Sequence, residues 1–390
     1  MTATSANSTS GTAAWADALL LSFAQAGYIR AEPAILQPAE PFVDLSGEDI
    51  RKSLYLTTDA RGEELCLRPD LTIPVARDYL ASDRSGEPAG FCYLGPVFRF
   101  RGQQPSEFLQ AGVESFGRQD RAAADAEMLA LALQAASAFG VTEVDIRTGD
   151  VALFSALIDA LDLYPVWKRR LLKDFNRKVS LEQDLERLTL ASGGNRNEYE
   201  GVLAALAGSD RKAALALVTD LMTIAGATNV GGRSVAEIAD RFLEQSTLKG
   251  GALPRDALDL IKRFLAIAGN PDDAAAQLRD LARGAGLNIT AAIDQFESRI
   301  GFMAARGIDT ALMRFSTSFG RGLDYYTGFE FELHARGNGA EPLVAGGRYD
   351  GLMTQLGAAR PIPAVGFSVW IEALTQLGRA PLSTNPGSAA

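Results

Sequence analysis

The sequence predicts an α+β protein in which a mostly antiparallel sheet, flanked by helices, is interrupted by a helical insertion. Three observations carry that prediction. Between residues 53 and 117, segments rich in aromatic and aliphatic side chains are separated by short Asp, Gly and Pro turns, and short turns favour antiparallel pairing over parallel crossovers. From about Pro165 to about Gly286, Leu, Ala, Lys and Asp dominate at helical spacing, punctuated by Gly193-Gly194 and Gly231-Gly232. Strand-like alternation then returns at 311–316 and 329–334, so the sheet domain is discontinuous in sequence.

In chain order, MTATSANSTSGTAA is rich in Ser and Thr and poor in apolar residues, which makes residues 1–12 an expected disordered tail. It lacks the basic start and apolar run of a secretion signal. Trp15, Leu19, Leu20, Phe23 and Ala24 fall at helical spacing with Gly27 as a C-cap, predicting a first helix over 15–28. Strands are expected at 53–58, 64–68, 91–100 and 108–117, then a helix at 121–139, a strand at 144–147 and a helix at 150–161. The core is expected to comprise 13–164 and 287–380, with the helical insertion over 165–286, a further helix at 289–305 and a second disordered tail over 381–390. A last amphipathic helix entered through Gly366 puts Ile371 and Leu374 on one face and closes the core. No tandem repeat is present.

With 390 residues, 47% of them apolar and 22% charged, the chain has room for two domains. A net charge of −10 opposes a surface built to neutralise phosphates, so no nucleic-acid partner is expected. Two cysteines and one histidine cannot make a Cys/His zinc site; neither a metal nor a cofactor is expected. Cys66 and Cys92, in ELCLRP and GFCYLGP, read as buried thiols of a reducing cytoplasm. No apolar run is long enough to cross a bilayer, so no membrane partner and a cytoplasmic location are expected. His334, at the end of a strand, reads as structural or surface.

Four segments hold more polar residues and glycine than a core needs. In LCLRPDLTIPVAR, Arg68, Asp70 and Thr72 alternate and would share one face of a strand running into a turn, either a solvated edge or a ligand contact. In YLGPVFRFRGQQPSEFLQAGVESFG, Arg99 and Arg101 alternate with phenylalanines, and Gln110, Gly112 and Glu114 with apolar neighbours. SFGRGLDYYTGFEFEL sets Arg321, Asp324, Tyr325 and Tyr326 between glycine-containing turns, and LVAGGRYDGL repeats that texture with Gly346, Gly347, Arg348, Tyr349 and Asp350. Carboxylates, tyrosines and arginines on one sheet suit a small zwitterion, the carboxylates taking its ammonium and ring N–H groups and an arginine its carboxylate. Nothing supplies an activated nucleophile or a matched acid and base, so no catalytic residue is assigned. The residues alone lead to an amino-acid or small-ligand pocket.

These four segments, in this order, resemble the catalytic core of class II aminoacyl-tRNA synthetases, most closely histidyl-tRNA synthetase. The resemblance covers most of the chain outside the tail and the insertion. The second segment looks like the motif 2 hairpin and the strand after it, and RGLDYYTGFEFE with AGGRYDGL looks like two signatures peculiar to the histidine enzyme. Carried over by position, the resemblance implies a histidine pocket of Asp70, Thr72, Gln110, Glu114, Arg321, Tyr325, Tyr326 and Tyr349. Asp70, Thr72 and Gln110 would hold the ammonium group, Glu114 and Tyr326 the imidazole, and Arg321 the carboxylate. Asp70 departs from the usual, longer Glu.

On the nucleotide side the resemblance implies loss. Arg99 matches the motif 2 arginine, but Arg101 stands where the enzyme has Glu, and the loop GQQPSEF is short. In VGFSVWIEAL, similar to motif 3, Ala373 occupies the place of the phosphate-facing arginine, and Trp370 replaces a small residue of the nucleotide floor. Arg99, Trp370 and Ala373 would thus form a vestigial nucleotide site, each lost phosphate contact costing ~3 kcal/mol or more of transition-state stabilisation. The chain also ends within about twenty residues of that helix, where the synthetase continues into an anticodon-binding domain. This profile is similar to the ATP phosphoribosyltransferase regulatory subunit family, which LRPDLTIPVAR particularly resembles. It implies a non-catalytic partner of the short-form catalytic subunit in the first step of histidine biosynthesis, required for its activity and sensing L-histidine for feedback. A self-dimer through the class II core, in the region from the first helix to about Leu56, and a hetero-octamer are implied with it. An amino-acid-adenylating enzyme related to histidyl-tRNA synthetase is the alternative, and a scaffold subunit with a vestigial pocket a third reading.

Overall fold

The computed structural model describes residues 5–45, 48–175, 255–337 and 341–378, with Leu181 and Leu185. The chain divides into one unit of Met1–Ala156 with Leu265–Ala390 and a second of Leu157–Phe264. In order come α1 (Ser5–Gln25), β1 (Ile29–Arg30), β2 (Leu36–Pro38), α2 (Glu40–Leu45), α3 (Glu48–Ser53), β3 (Leu56–Thr58), β4 (Glu64–Leu67), α4 (Thr72–Ala81), β5 (Ala89–Phe98), β6 (Glu107–Phe116), α5 (Arg121–Ala138), β7 (Val144–Asp150) and α6 (Val151–Ala160). The second unit holds the end of α6, α7 (Pro165–Phe175) and most of α8 (Arg255–Leu265). The first resumes with β8 (Ala268–Gly269), α9 (Pro271–Ala285), α10 (Thr290–Ala305), a 3-10 turn at Thr310–Leu312, β9 (Arg314–Ser316), β10 (Phe329–Ala335), β11 (Val344–Arg348), α11 (Asp350–Gln355), β12 (Ala364–Trp370) and α12 (Ile371–Leu377).

Nine strands form the main sheet in the order β1-β5-β6-β12-β11-β10-β7-β9-β8. Only β1–β5 and β7–β9 run parallel, so the expected antiparallel character holds. A second, antiparallel sheet has the order β2-β4-β3. Strand register decides what each face of the main sheet carries, because successive side chains point to opposite sides. Cys92, Ala111, Val113, Val365, Phe367, Val369, Val344, Phe329, Phe331, Leu333 and Ile146 are buried in one apolar cluster with residues of α1, α5 and α10. Their alternates make the other face. There Gln110 pairs with Trp370, Gly112 with Ser368 and Glu114 with Gly366. Gly366 pairs with Gly347, Gly347 with Glu330 and Ala345 with Glu332.

At one end of the apolar face lies a buried ionic network. Arg299 of α10 donates to Asp125 of α5 at 3.0 Å and to Asp150 of β7. Arg348 of β11 approaches the same Asp125 to 2.6 Å and Asp350 to 2.9 Å, and Asp350 accepts from Ala364 N of β12 at 2.8 Å. Burial opposes the charge of Arg299, but the two carboxylates outweigh it and its pKa rises. Six elements are tied to one charge cluster.

Several expected boundaries move. The α1 helix begins at Ser5, inside the expected tail of residues 1–12; extending a formed helix through Ala, Ser and Thr costs far less than starting one. The helix expected to enter through Gly366 starts at Ile371, and 364–370 is strand β12, since Val365, Phe367 and Val369 alternate on the apolar face. Residues 344–348, expected as a glycine loop, are strand β11. Arg68, Asp70 and Thr72 share no strand face: β4 ends at Leu67 and Thr72 begins α4. Ser53 ends α3 and the strand begins at Leu56, while 310–312 is a 3-10 turn ahead of β9.

The insertion is also shorter than the expected 165–286, because α9 belongs to the first unit. Its apolar spacing resembles that of the insertion helices, and its packing on α10, β8, β9 and the 3-10 turn distinguishes it. It is a well-terminated helix, with Asn270 Oδ1 accepting from Asp273 N at 2.9 Å and Gly286 left-handed at φ 64°. In the second unit, Trp167, Leu171 and Phe175 line one stripe of α7, and Leu258, Ile261 and Phe264 are buried on α8. The expected tail 381–390 lies outside the described residues. Cys66 and Cys92 are free and buried; burial pushes the Cys66 thiol up to about 11. No described helix is long and apolar enough to cross a membrane.

Removing one partner of a buried pair strands the other charge, at a cost of about 3–5 kcal/mol. Arg299→Ala should therefore lower unfolding free energy by about that amount in urea denaturation, several times the effect of Arg283→Ala at an exposed pair.

Candidate functional site

A cavity of about 190 Å³ opens on the polar face of the main sheet, below the ~300–1,000 Å³ of sites for drug-sized ligands. Its walls include Asp70 and Thr72 at the start of α4, Arg99 just beyond β5, Gln110 of β6, and Arg321, Tyr325 and Tyr326 from the loop before β10. Tyr349, Ala345, Gly366, Ser368 and Trp370 complete it, with Ile50 of α3. Seven of the eight residues expected to form one pocket therefore line one cavity. The eighth, Glu114, lies one layer beneath.

Glu114 is fully buried. Its carboxyl accepts from Tyr93 Oη at 3.1 Å and from Tyr349 Oη. It lies flat over β12: a Cβ on Gly366 would fall 1.7 Å from Glu114 Oε2, so only glycine fits opposite it. Burial raises the Glu114 pKa to about 8, against the opposing pull of Tyr349, Thr72 and Tyr93. Gly347 serves Tyr326 similarly, since a Cβ there would fall 2.9 Å from that ring.

The start of α4 is tied to the sheet. Asp70 Oδ1 accepts from Ile73 N at 3.2 Å, and Gln110 Oε1 from Leu71 N at 3.1 Å. Burial pushes the Asp70 carboxyl up, and the nearby Arg99 guanidinium opposes the shift. Arg99 donates through Nε to Pro69 O at 2.6 Å; burial lowers its pKa, with Asp70 acting against that. Arg68 is turned to the carbonyls of Pro33 and Pro96, a structural role. Arg321 donates to Tyr326 Oη and, through Nε, to Glu332 Oε1 at 3.3 Å.

Of the residues expected on the nucleotide side, Arg99 and Trp370 line the cavity. Ala373 does not; it is packed against the apolar cluster. Sequence reasoning missed Tyr93, Ser368, Glu330 and Glu332. Their signal was strand parity: Tyr93 stands opposite Gly112, and the glutamates of FEFEL alternate with phenylalanines of the core. Gly346 and Gly347, expected to order as a ligand loop, are fixed in β11, whereas Gly322 is left-handed at φ 72° beside the cavity. Among the described residues no cluster of three or more His, Cys, Asp or Glu is placed to hold a metal.

A family model described as histidyl-tRNA synthetase matches residues 8–244 and 243–374. The chain is 41% identical over 349 residues to the ATP phosphoribosyltransferase regulatory subunit of Brucella anthropi, covering 89% of this chain and 92% of that one. The protein of that name from Mesorhizobium japonicum is 40% identical over 351 residues, 90% and 93% of the two chains. The chain belongs to the ATP phosphoribosyltransferase regulatory subunit family. It stands with the regulatory subunits and not with the catalytic ones. The fold of the chain is that of histidyl-tRNA synthetases. A Bacillus halodurans structure titled as an ATP phosphoribosyltransferase regulatory subunit/histidyl-tRNA synthetase superposes with a TM-score of 0.67 at 22% identity, covering 97% of this chain and 82% of that one. Histidyl-tRNA synthetase from a Nostoc species gives 0.61 at 18% identity, covering 94% and 71%.

Glu330, on the same sheet face, is fully buried, and its Oε1 has no hydrogen-bond partner. Burial raises its pKa from 4.5 to about 8. A carboxyl with a raised native pKa stabilises the fold fully below its unfolded value and loses that contribution as pH rises through the native value. Glu330→Gln does not titrate there, so its Tm relative to wild type should climb between pH about 4.5 and about 8 and be level below. Thermal scans across that range decide it; a relative Tm that falls with pH would mean Glu330 folds ionised.

Proposed function

We propose that this regulatory subunit acts in the first step of histidine biosynthesis, activating a short-form catalytic subunit and sensing L-histidine in the cavity for feedback. The observation that carries the reading is the donor set on one small cavity, lined together by Asp70, Thr72, Gln110, Tyr326, Tyr349 and Arg321. An α-ammonium group meets Asp70, Thr72 and Gln110, and the carboxylate meets Arg321. The imidazole meets Tyr326 and, through the Tyr349 hydroxyl that it holds, Glu114. The relatives' names supply the regulatory role. The exposed apolar side chains Ile35, Leu36 and Leu56 support pairing of two copies through that region.

Calorimetry with L-histidine should give micromolar binding to the wild-type chain and at least tenfold weaker binding to Glu114→Ala, which takes the carboxylate acceptor from the buried Tyr349 hydroxyl and one of the partners of Tyr93. Mixed with a short-form catalytic subunit, the chain should confer activity that histidine lowers. Tight histidine binding by the isolated chain with no inhibition of the complex would defeat the sensor role.

Arg99 in the cavity is the one observation favouring the second reading, an adenylating enzyme. Against it, Trp370 lines the same cavity beside Gln110, and the place of a phosphate-facing arginine is held by Ala373, packed against the apolar cluster. Histidine-dependent ATP–pyrophosphate exchange should be undetectable, and any clear exchange would replace the regulatory reading with the enzymatic one.

A further inference from the structure

The lone histidine of the chain is not at the surface. His334 is 3% exposed on β10, on the face that carries Glu330 and Glu332. Its Nε2 lies 2.9 Å from Glu332 Oε2, and its Nδ1 is buried with no hydrogen-bond partner. A carboxylate only accepts, so Nε2 is the donor in this contact. The other oxygen of Glu332 accepts from Arg321 Nε at 3.3 Å, and Arg321 Nη1 donates to Tyr326 Oη. Arg321 is pinned from its backbone as well, where its N–H donates to Glu330 Oε2 at 2.9 Å. A continuous polar chain therefore runs from His334 through Glu332 to Arg321 and the cavity.

This chain opposes a specific difficulty. Arg321 and Arg99 line one small cavity, and their charges repel. An unrestrained arginine would also lose several rotors on gripping a ligand. Holding Nε against a carboxylate fixes the plane of the guanidinium before a ligand arrives, which is what bidentate recognition of a carboxylate needs. Glu332 can do this only if its own rotamer is fixed, and the buried His334 ring on its second oxygen fixes it. Ala345, directly across from Glu332 in β11, is small and itself part of the cavity wall.

We propose that Glu332 is a positioning residue that aims Arg321 at the carboxylate of the bound amino acid, and that His334 holds Glu332 in place. The inference rests on the histidine-pocket reading. The test is binding of L-histidine and of L-histidinol, which lacks the carboxylate, to the full chain, by calorimetry and by thermal-shift titration to tens of millimolar. Glu332→Gln should weaken histidine about tenfold and move histidinol by less than about twofold, shrinking the preference between them. His334→Phe should shift that preference in the same direction by a smaller factor, and His334→Gln, which keeps a donor for Glu332, should restore most of it. Should Glu332→Gln fail to fold, Glu332→Asp, with its charge kept and its reach shortened, reads the same split. Equal weakening of both ligands, or no weakening of either, overturns the positioning role while leaving the pocket reading intact. A wild-type chain that binds neither ligand removes the pocket reading itself, and this inference with it.

Discussion

The sharing of Asp125 between Arg299 and Arg348 holds the register on which every other feature depends. In a sheet with one wet and one apolar face, a slip of a single residue exchanges the faces. Hydrophobicity alone resists such a slip weakly along VAGGR, where two of the five positions are glycine. The charges resist it strongly. Moving β11 by one residue would withdraw Arg348 from Asp125, leaving a buried guanidinium without its carboxylate and Asp125 with Arg299 alone, a penalty of several kcal/mol. The network contributes little net stability against an apolar substitute, but it makes the wrong registers far worse than the right one.

The cavity follows from that register. With Gly347 beside Gly366 and Gly366 beside Glu114, the centre of the polar face is a shallow bed with almost no side chains. Glu114 and Tyr326 fold down into it, and their hydroxyl and carboxyl partners are drawn from neighbouring strands and from the start of α4. Burying three carboxyls there, at Asp70, Glu114 and Glu330, carries a desolvation cost that raises each pKa. Stability is given up locally, and the apolar face behind it offsets the loss, a pattern expected where a site is built for binding.

Much of this was legible in the sequence. The antiparallel sheet and the insertion could be read from alternation and turns, and the grouping of Asp70, Thr72, Gln110, Arg321 and three tyrosines from the resemblance of four ordered segments to histidyl-tRNA synthetase. What could not be read was decided by tertiary contacts. The Gly-rich segments of β11 and β12 have poor strand propensity, and they are strands because neighbouring side chains need the space above them. The helix α9 carries the same apolar spacing whether it packs in the insertion or on the core. Glu114 was identified as a pocket residue, yet its depth beneath Tyr349 depends on the close approach at Gly366, which sequence spacing does not encode. Ala373 shows the converse, a position aligned with a phosphate contact whose partly buried methyl group packs against the apolar cluster.

The same geometry constrains how a ligand here could be felt elsewhere. Feedback requires the ligand to bind one state of an assembly more tightly than another, with the same factor acting back on the partner's substrate. The sheet floor, locked by buried charges, is a poor element to switch. The segment carrying Arg321, Tyr325 and Tyr326 is better suited: it has Gly322 in a left-handed conformation, and it is held to β10 by contacts of Arg321 with Glu330 and Glu332. A ligand carboxylate added to the Arg321 guanidinium that Glu332 holds would tighten that segment against β10. The coupling energy available is then limited to what that one added ion pair contributes, so a modest, reversible response of one to two orders of magnitude suits this architecture better than an all-or-none switch.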